Sequence, residues 1–286
     1  AGGSADEVAR MPLGERRSSK LWKARLTAYE ELTKSFSHTS SDEDPIFADY
    51  AHQTYVLQGM ALDTNAAAQE KGVECLCAFV RYGGTRAGRT RMDVLPGVAE
   101  KCLCSMRTGT RKAAQELVLL FAEQEDVAGC DGIIGDLCDK ITSKQPKVVA
   151  ANVNALTLLV QNLGGEQVNV RLISQSIPRI FAHADKNVRT EGSALAVELH
   201  RVMGAALAPV LSQLKDIQVK ELERQFSEAA PASAPLRHLA SNKARAEALS
   251  AAEPAATLDE APASSGAAVD EQESAMDALL EDPYET

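Results

Sequence analysis

Asp185-Lys186-Asn187-Val188-Arg189-Thr190-Glu191-Gly192 is a short polar turn that runs into a helical pattern of small and branched apolar residues. Three other stretches share the arrangement. Asp63-Thr64-Asn65 leads to Ala68-Gln69, Thr108-Gly109-Thr110 leads to Ala114-Gln115, and Ser143-Lys144-Gln145-Pro146 leads to Val149-Ala150. Aligning Ala68, Ala114, Val149 and Val188 gives spacings of 46, 35 and 39 residues. Two helices fit in each interval. A period in this range, with a turn inside each pair, marks an α-solenoid of the HEAT type. One such unit cannot bury its apolar face alone, so successive units stack on a shared core. Their internal turns then line up along one edge.

The rest of the chain agrees with an all-α fold. Ala, Leu, Val, Glu and Lys are prominent, and the strict apolar-polar alternation of strands is nearly absent. The 3.6-residue periodicity predicts helices near 12–19, 22–37, 46–60, 65–83, 90–106, 110–124, 130–142, 146–164, 174–184, 187–204, 205–214 and 218–228. Pro12, Pro45, Pro146 and Pro209 fall at or near helix starts, where a missing N–H is tolerated. Gly83-Gly84, Gly109 and Gly164-Gly165 are read as breaks.

The net charge of -10 is unevenly spread. Residues 1–228 carry 27 Lys+Arg against 29 Asp+Glu, whereas residues 229–286 carry 3 against 11. The acidity belongs to the end of the chain, and the helical part is nearly neutral. A nucleic-acid-binding module would show a basic excess there. Residues 1–11 read as an N-terminal extension and 12–228 as the folded domain. Residues 229–286, rich in Ala, Ser, Pro and Glu, read as a disordered acidic linker toward a following domain.

No apolar run of about 18 residues is seen that would span a membrane, and the start lacks the pattern of a signal peptide. Cys75, Cys77, Cys102, Cys104, Cys130 and Cys138 read as buried free thiols in a reducing compartment. Residues two apart on a helix point in different directions, so neither Cys-x-Cys pair suits a metal. No cofactor or metal is expected. His38, His52, His183, His200 and His238 are scattered, with no phosphate loop or convergent catalytic set, so an enzyme is not expected.

The edge of turns carries a charge pattern. Lys20, Lys23 and Arg25 lie at the first turn, and Arg107, Arg111 and Lys112 at the third. Lys144 and Lys147 mark the fourth, Lys186 and Arg189 the fifth. The second, Asp63-Thr64-Asn65, has only Lys71 nearby. A basic ridge of this kind steers and holds an acidic partner. At its first turn sits the single tryptophan, Trp22, within Lys20-Leu21-Trp22-Lys23-Ala24-Arg25-Leu26. A lone Trp among cations has two readings: an inward-packed cap of the first helix pair, or an interface anchor.

Leu21-Trp22-Lys23-Ala24-Arg25-Leu26-Thr27-Ala28-Tyr29-Glu30-Glu31-Leu32 resembles the opening of a TOG domain. Asn65-Ala66-Ala67-Ala68-Gln69-Glu70-Lys71-Gly72 and Asp185–Gly192 resemble its later turns, and Gln218–Phe226 its close. The likeness covers about residues 12–228 and is greatest to the first TOG domain of microtubule polymerases of the chTOG and Minispindles type. It implies a flat paddle of about six HEAT repeats whose internal turns bind one soluble, curved αβ-tubulin heterodimer. On that resemblance Trp22 packs on β-tubulin and Arg189 engages α-tubulin. Lys23, Asn65, Lys71, Arg111, Lys144, Lys147, Lys186 and Asn187 supply contacts between them. It further implies a cytoplasmic, cytoskeletal protein acting at microtubule plus ends, spindle poles and kinetochores, promoting microtubule growth. Nucleic acid and membrane are not expected partners. The competing reading is a generic HEAT-repeat scaffold that holds a non-tubulin protein in a concave groove.

Overall fold

The computed structural model describes residues 5–243. Helix α1 (Ala5–Arg10) leads into a first pair, α2 (Leu13–Ser18) and α3 (Trp22–Ser37). Helix α4 (Pro45–Ala51) follows, and then the second pair, α5 (Thr54–Ala61) and α6 (Ala66–Gly88). The third pair is α7 (Arg91–Gly97), prolonged by a π-turn over Val98–Cys102, and α8 (Thr108–Glu123). The fourth is α9 (Val127–Asp139) with α10 (Pro146–Leu163). In the fifth, the short α11 (Val170–Ser174) and α12 (Ile177–Phe181) precede α13 (Lys186–Met203). The sixth joins α14 (Ala208–Leu211) to α15 (Asp216–Glu228).

The second helices, α3, α6, α8, α10, α13 and α15, pack side by side in chain order as one layer. The first helices form the other layer, and the core lies between them.

The sequence explains the stacking at two positions in each of the first five second helices. The third residues, Ala24, Ala68, Thr110, Val148 and Val188, are all buried, as are Ala28, Gly72, Ala114, Asn152 and Gly192 one helical turn later. Residues four apart share a helix face. Small side chains there let the first helix of the pair approach. A Cβ on Gly72 would run into the Met60 carbonyl of α5, and one on Gly192 would lie 2.5 Å from Ile180 Cγ2 of α12. The structural register of the repeat is therefore Ala24, Ala68, Thr110, Val148, Val188. It corrects the sequence alignment by one turn at Ala114 and by one residue at Val149.

Several expected helices differ in extent. The run expected over 46–60 splits into α4 and α5 where Gln53 leaves helical geometry, at φ -107° and ψ 52°. The break expected at Gly83-Gly84 is present: Gly84 takes φ 53° and ψ -146°, non-helical values that favour glycine, so α6 is two helices joined at that residue. Pro96 lies inside α7, and the helix widens into the π-turn just beyond it. Near the far end of α3, Phe36 packs on Phe47, Tyr50 and Phe79 with ring centroids 5.6, 5.3 and 5.3 Å away, tying α4 to the stack.

Both ends of the expected domain need correction. Within residues 1–11, α1 packs onto the fold through Val8, which is buried. At the other end, residues 235–243 are a strap rather than a free linker. Leu236 and Arg237 donate their N–H groups to the Asn162 carbonyl at 2.9 and 3.0 Å, and Ala240 to that of Glu125 at 3.1 Å. Arg237 bridges Glu116 and Glu123 of α8 at 2.7 and 2.9 Å, and Leu239 is fully buried. Gln167 anchors the crossing. Its amide donates to the Leu163 and Arg237 carbonyls, and its Oε1 accepts from Leu239 N and Asn242 Nδ2. The strap runs backwards over the second-helix layer, from the sixth pair to the third and fourth. The rest of the segment expected to be a linker, residues 244–286, lies outside the described residues.

The stretch Lys186–Leu211 is long and apolar enough, by composition alone, to cross a membrane, contrary to the sequence expectation. In the fold it is interrupted at Gly204, which takes φ 54°, and its Leu195, Ala196 and Leu199 belong to the core. Cys75, Cys77, Cys102 and Cys130 are buried, and Cys104 and Cys138 partly so. Burial pushes the thiols of Cys75, Cys102 and Cys130 up to about 12. Cys102 Sγ donates to the Ala61 carbonyl at 3.1 Å, so it acts as a core residue between two repeats. His200 stacks on Phe226 of α15, ring centroids 4.0 Å apart.

Candidate protein-interaction edge

The turns inside the pairs, ahead of α3, α6, α8, α10 and α13, emerge on one edge because every pair runs in the same sense. Three turns share one device. Arg25, Arg111 and Arg189 each occupy the fourth position of their helix. In each, Nη1 donates to two consecutive carbonyls of the turn just before. Arg25 reaches Ser19 and Lys20 at 2.8 and 3.2 Å, Arg111 reaches Ser105 and Met106 at 2.7 and 3.0 Å, and Arg189 reaches His183 and Ala184 at 2.8 and 2.6 Å. In α6 the same position is Gln69, whose amide donates to the Ala61 carbonyl at 2.8 Å. In α10 it is the apolar Val149. Asn152, further along α10, donates instead to the Val148 carbonyl of its own helix at 2.8 Å and to the Ala99 carbonyl of the third pair at 2.9 Å, so no side chain of this kind holds the fourth turn.

The first three turns are bonded to one another. Asp63 of the second turn accepts from Arg25 at 2.6 and 2.7 Å and from the Tyr29 hydroxyl at 3.1 Å. Burial raises the Asp63 pKa, but these donors and the Asn65 N–H outweigh it, holding the carboxyl below its ordinary value. Burial together with the Asp63 charge pushes the Tyr29 hydroxyl well up. Arg107 of the third turn pairs with Glu70 at 2.8 Å, and its hydrogen bond lowers the Glu70 pKa. Helix starts are capped locally. Asn65 Oδ1 accepts from Ala67 N and Ala68 N, and Asp185 Oδ1 from Asn187 N and Val188 N. The backbone of the edge is thus fixed before any partner arrives.

This geometry sorts the residues singled out from the sequence. Trp22 is the first residue of α3 and is 38% exposed, so it is not an inward-packed cap. Lys23 Nζ stands 5.9 Å from its ring centroid. Lys144, Lys147 and Asn187 converge on one open groove between the fourth and fifth turns, together with Gln145, Pro146 and Asp185. Lys186 is exposed beside it. Lys20, Lys23, Lys112, Lys144, Lys147 and Lys186 form no ion pair among the described residues. Other members of the expected ridge are already engaged. Arg25 and Arg107 are paired across turns, Lys71 is paired with Glu74 at 2.6 Å, and Arg111 and Arg189 hold their own turns. Asn65 serves as a cap.

Two exposed apolar residues on this edge went unnoticed in the sequence: Met106 in the third turn and Leu62 in the second. Their signal was a large apolar side chain at a turn rather than on a helical stripe.

The model of the XMAP215/Dis1/CLASP TOG-domain family matches residues 7–226. Protein mini spindles of Drosophila melanogaster is 35% identical over 220 residues, 77% of this chain and 10% of that protein. The spindle pole body component alp14 of Schizosaccharomyces pombe is 36% identical over 225 residues, 78% of this chain and 27% of that protein. The chain therefore spans only a small part of the length of these relatives. A solved structure of tubulin recruitment and assembly by microtubule polymerases with TOG domain arrays superposes with a TM-score of 0.74. It has 25% identity and covers 86% of this chain and 52% of that one. The third TOG domain of Drosophila Mini spindles superposes at 0.68 with 16% identity, covering 80% of this chain and all of that one. With the repeat register, the fixed edge of turns and a family match over most of its length, the chain belongs to the XMAP215/Dis1/CLASP TOG-domain family.

Proposed function

We propose that this domain binds the soluble, curved αβ-tubulin heterodimer along its edge of turns, as one module of a microtubule polymerase. The observation that carries the reading is the edge itself. Five turns lie in a row, with Trp22 exposed at one end and unpaired lysines around a groove at the other. Their backbones are held by bonds within the turns and, among the first three, between them, so little ordering is needed on binding. An acidic partner suits the lysines, and an apolar surface suits Trp22. The relatives that match most of the domain are spindle proteins by name, and a likeness in fold to a tubulin-recruiting TOG array supports the same partner.

On this reading Trp22 and Lys23 meet one tubulin subunit. Lys144, Lys147, Lys186 and Asn187 meet the other. Asn65, Arg111 and Arg189 fix the turns between and beside them, and Lys71 borders the second. The module works by binding alone, delivering tubulin to growing microtubule ends in spindle and cytoskeletal arrays through its parent protein. A generic scaffold that uses a concave groove gives no role to an exposed Trp at a turn.

The test is size-exclusion chromatography of residues 1–243 with unpolymerised tubulin at micromolar concentration and low salt. Co-elution at one domain per heterodimer is expected. Separate elution would end the reading.

A further inference from the structure

Within the second-helix layer, α3 on α6, α6 on α8 and α10 on α13 pack closely, whereas α8 meets α10 thinly. The junction of α13 with α15 is thin as well, but it lies at the end of the solenoid. The α8–α10 seam falls in the middle and separates pairs one to three from pairs four to six. Near the edge of turns, Asn152 of α10 crosses it to the Ala99 carbonyl at 2.9 Å. Midway, Gln115 Nε2 donates to Asn154 Oδ1 at 2.8 Å. Toward the far ends of the two helices, the strap lies across it. Arg237 grips Glu116 and Glu123 of α8, while its own N–H and that of Leu236 bond the Asn162 carbonyl of α10. Glu116 also pairs with Arg81 of α6 at 2.7 Å, which carries the hold into the second pair. Leu239 of the strap is fully buried and belongs to the core. Gly164, just beyond α10, takes φ 75°, and a Cβ there would lie 2.8 Å from Pro235 Cγ, so the backbone is shaped to receive the strap.

We propose that the strap is a clip across the α8–α10 seam. It sets the angle between the two halves of the solenoid, and so governs the alignment of the turns on the opposite edge without touching them. In a solenoid each repeat contacts only its neighbours, so a rotation at one junction is passed whole to everything beyond it. The thinnest internal junction is where such a rotation is easiest. A segment bonded to both sides of it removes that freedom. Without Leu239 the far ends of α8 and α10 face an apolar gap, into which the structure relaxes only in part. A partner that touches turns on both sides of the seam must then fix the angle itself, at a cost in affinity. That last consequence rests on the tubulin-binding reading, whereas the clip does not.

The experiment uses the full chain with the partly exposed Cys104 and Cys138 replaced by serine. Spin labels go on the exposed positions Lys112→Cys and Lys147→Cys, across the seam, or on Lys147→Cys and Lys186→Cys, on one side of it. Arg237→Gln with Leu239→Ala releases the strap. Asp63→Asn, which disturbs the fold away from the seam, is the control. Double electron–electron resonance should give one narrow Lys112–Lys147 distance in the parent and in Asp63→Asn. In the strap variant it should broaden or shift, with the Lys147–Lys186 distance unchanged throughout. Tubulin affinity of the unlabelled strap variant should fall about tenfold, within the range of coupling between separate sites. A peptide of residues 229–243, added to the domain cut after residue 228, should restore both the narrow distance and the affinity. By reciprocity, tubulin should tighten the binding of that peptide by the same factor. An unchanged Lys112–Lys147 distance in the strap variant overturns the clip, and so does equal broadening of both distances, which is general loosening. A broadened distance with wild-type tubulin affinity overturns the control of the edge. If the parent chain itself does not bind tubulin, the tubulin reading has failed, and the distances still decide the clip.

Discussion

Arg25 and Asp63 form a bidentate ion pair across two turns, Nε to Oδ2 at 2.6 Å and Nη2 to Oδ1 at 2.7 Å. The Asp63 side chain is 1% exposed and that of Arg25 15%. Removing one partner strands the other charge away from water. Asp63→Asn should therefore destabilise the domain by about 3 kcal/mol, as breaking a buried pair does. Urea melts will measure it. The pH dependence has a definite sign. The folded-state pKa of Asp63 lies below its ordinary value of 3.8, so the folded state favours the charged form. The stabilisation is fully present above 3.8 and is lost as pH falls through the depressed value. The difference between wild type and Asp63→Asn should thus be constant from pH 7 down to about 5 and shrink below the ordinary carboxylate range.

Trp22 and Arg189 should separate cleanly in a pair of assays. Trp22 is an exposed helix-start residue. Trp22→Ala should leave the melting point near wild type and weaken tubulin binding by about 2 kcal/mol or more. Arg189 is half-buried, with Nη1 on two carbonyls of its own turn. Arg189→Ala should lose both stability, by about 1.5 kcal/mol, and binding, because the turn is released. Arg189→Lys keeps the charge but cannot reproduce the planar fork. Binding that falls in the lysine variant as far as in the alanine one assigns Arg189 to positioning. Full rescue by lysine assigns it to charge contact alone.

The stacked helices were legible because each second helix repeats the same small or apolar residues at fixed positions, such as Gly72 and Gly192. Trp22 was legible as an edge residue because it is the one tryptophan and sits beside cations at a turn. The state of the cations was not. Arg25 and Arg107 meet carboxylates 38 and 37 residues away, so composition counts them as free when the fold has engaged them. The strap was hidden for the same reason. Arg237 bonds Glu116 across 121 residues of sequence, and its Ala/Ser/Pro-rich surroundings read locally as linker. The helix break at Gln53 has no proline or glycine to announce it.

The strap makes a direct prediction about where the domain ends. Truncation after residue 228 removes the buried Leu239 and the Arg237 bridge to Glu116 and Glu123. It should lower the melting point by several degrees, and Leu239→Ala alone should cost about 2–4 kcal/mol. Truncation after residue 243 should leave the melting point unchanged. Equal melting points for the two truncations would show that the strap adds no stability.

The groove between the fourth and fifth turns should carry the salt dependence. Lys144, Lys147 and Lys186 form no ion pair among the described residues, so their field is available to a partner. Tubulin affinity should fall as salt rises toward about 0.15 M. The double variant Lys144→Ala, Lys147→Ala should bind more weakly at low salt and with a flatter salt response. Fluorescence titrations at three salt concentrations will read both. An unchanged salt response in that variant would place the electrostatics elsewhere.

Hydroxyl-radical footprinting of the tubulin complex tests the central claim most directly, because both edges of the domain carry exposed, oxidisable side chains. Trp22 and Met106 lie on the edge of turns. Tyr55 and Met92, 71% and 74% exposed, lie at the starts of α5 and α7 on the opposite edge. Adding saturating tubulin should protect Trp22 and Met106 strongly and leave Tyr55 and Met92 oxidised as in the free domain. Protection of Tyr55 and Met92 with Trp22 unprotected would contradict the account.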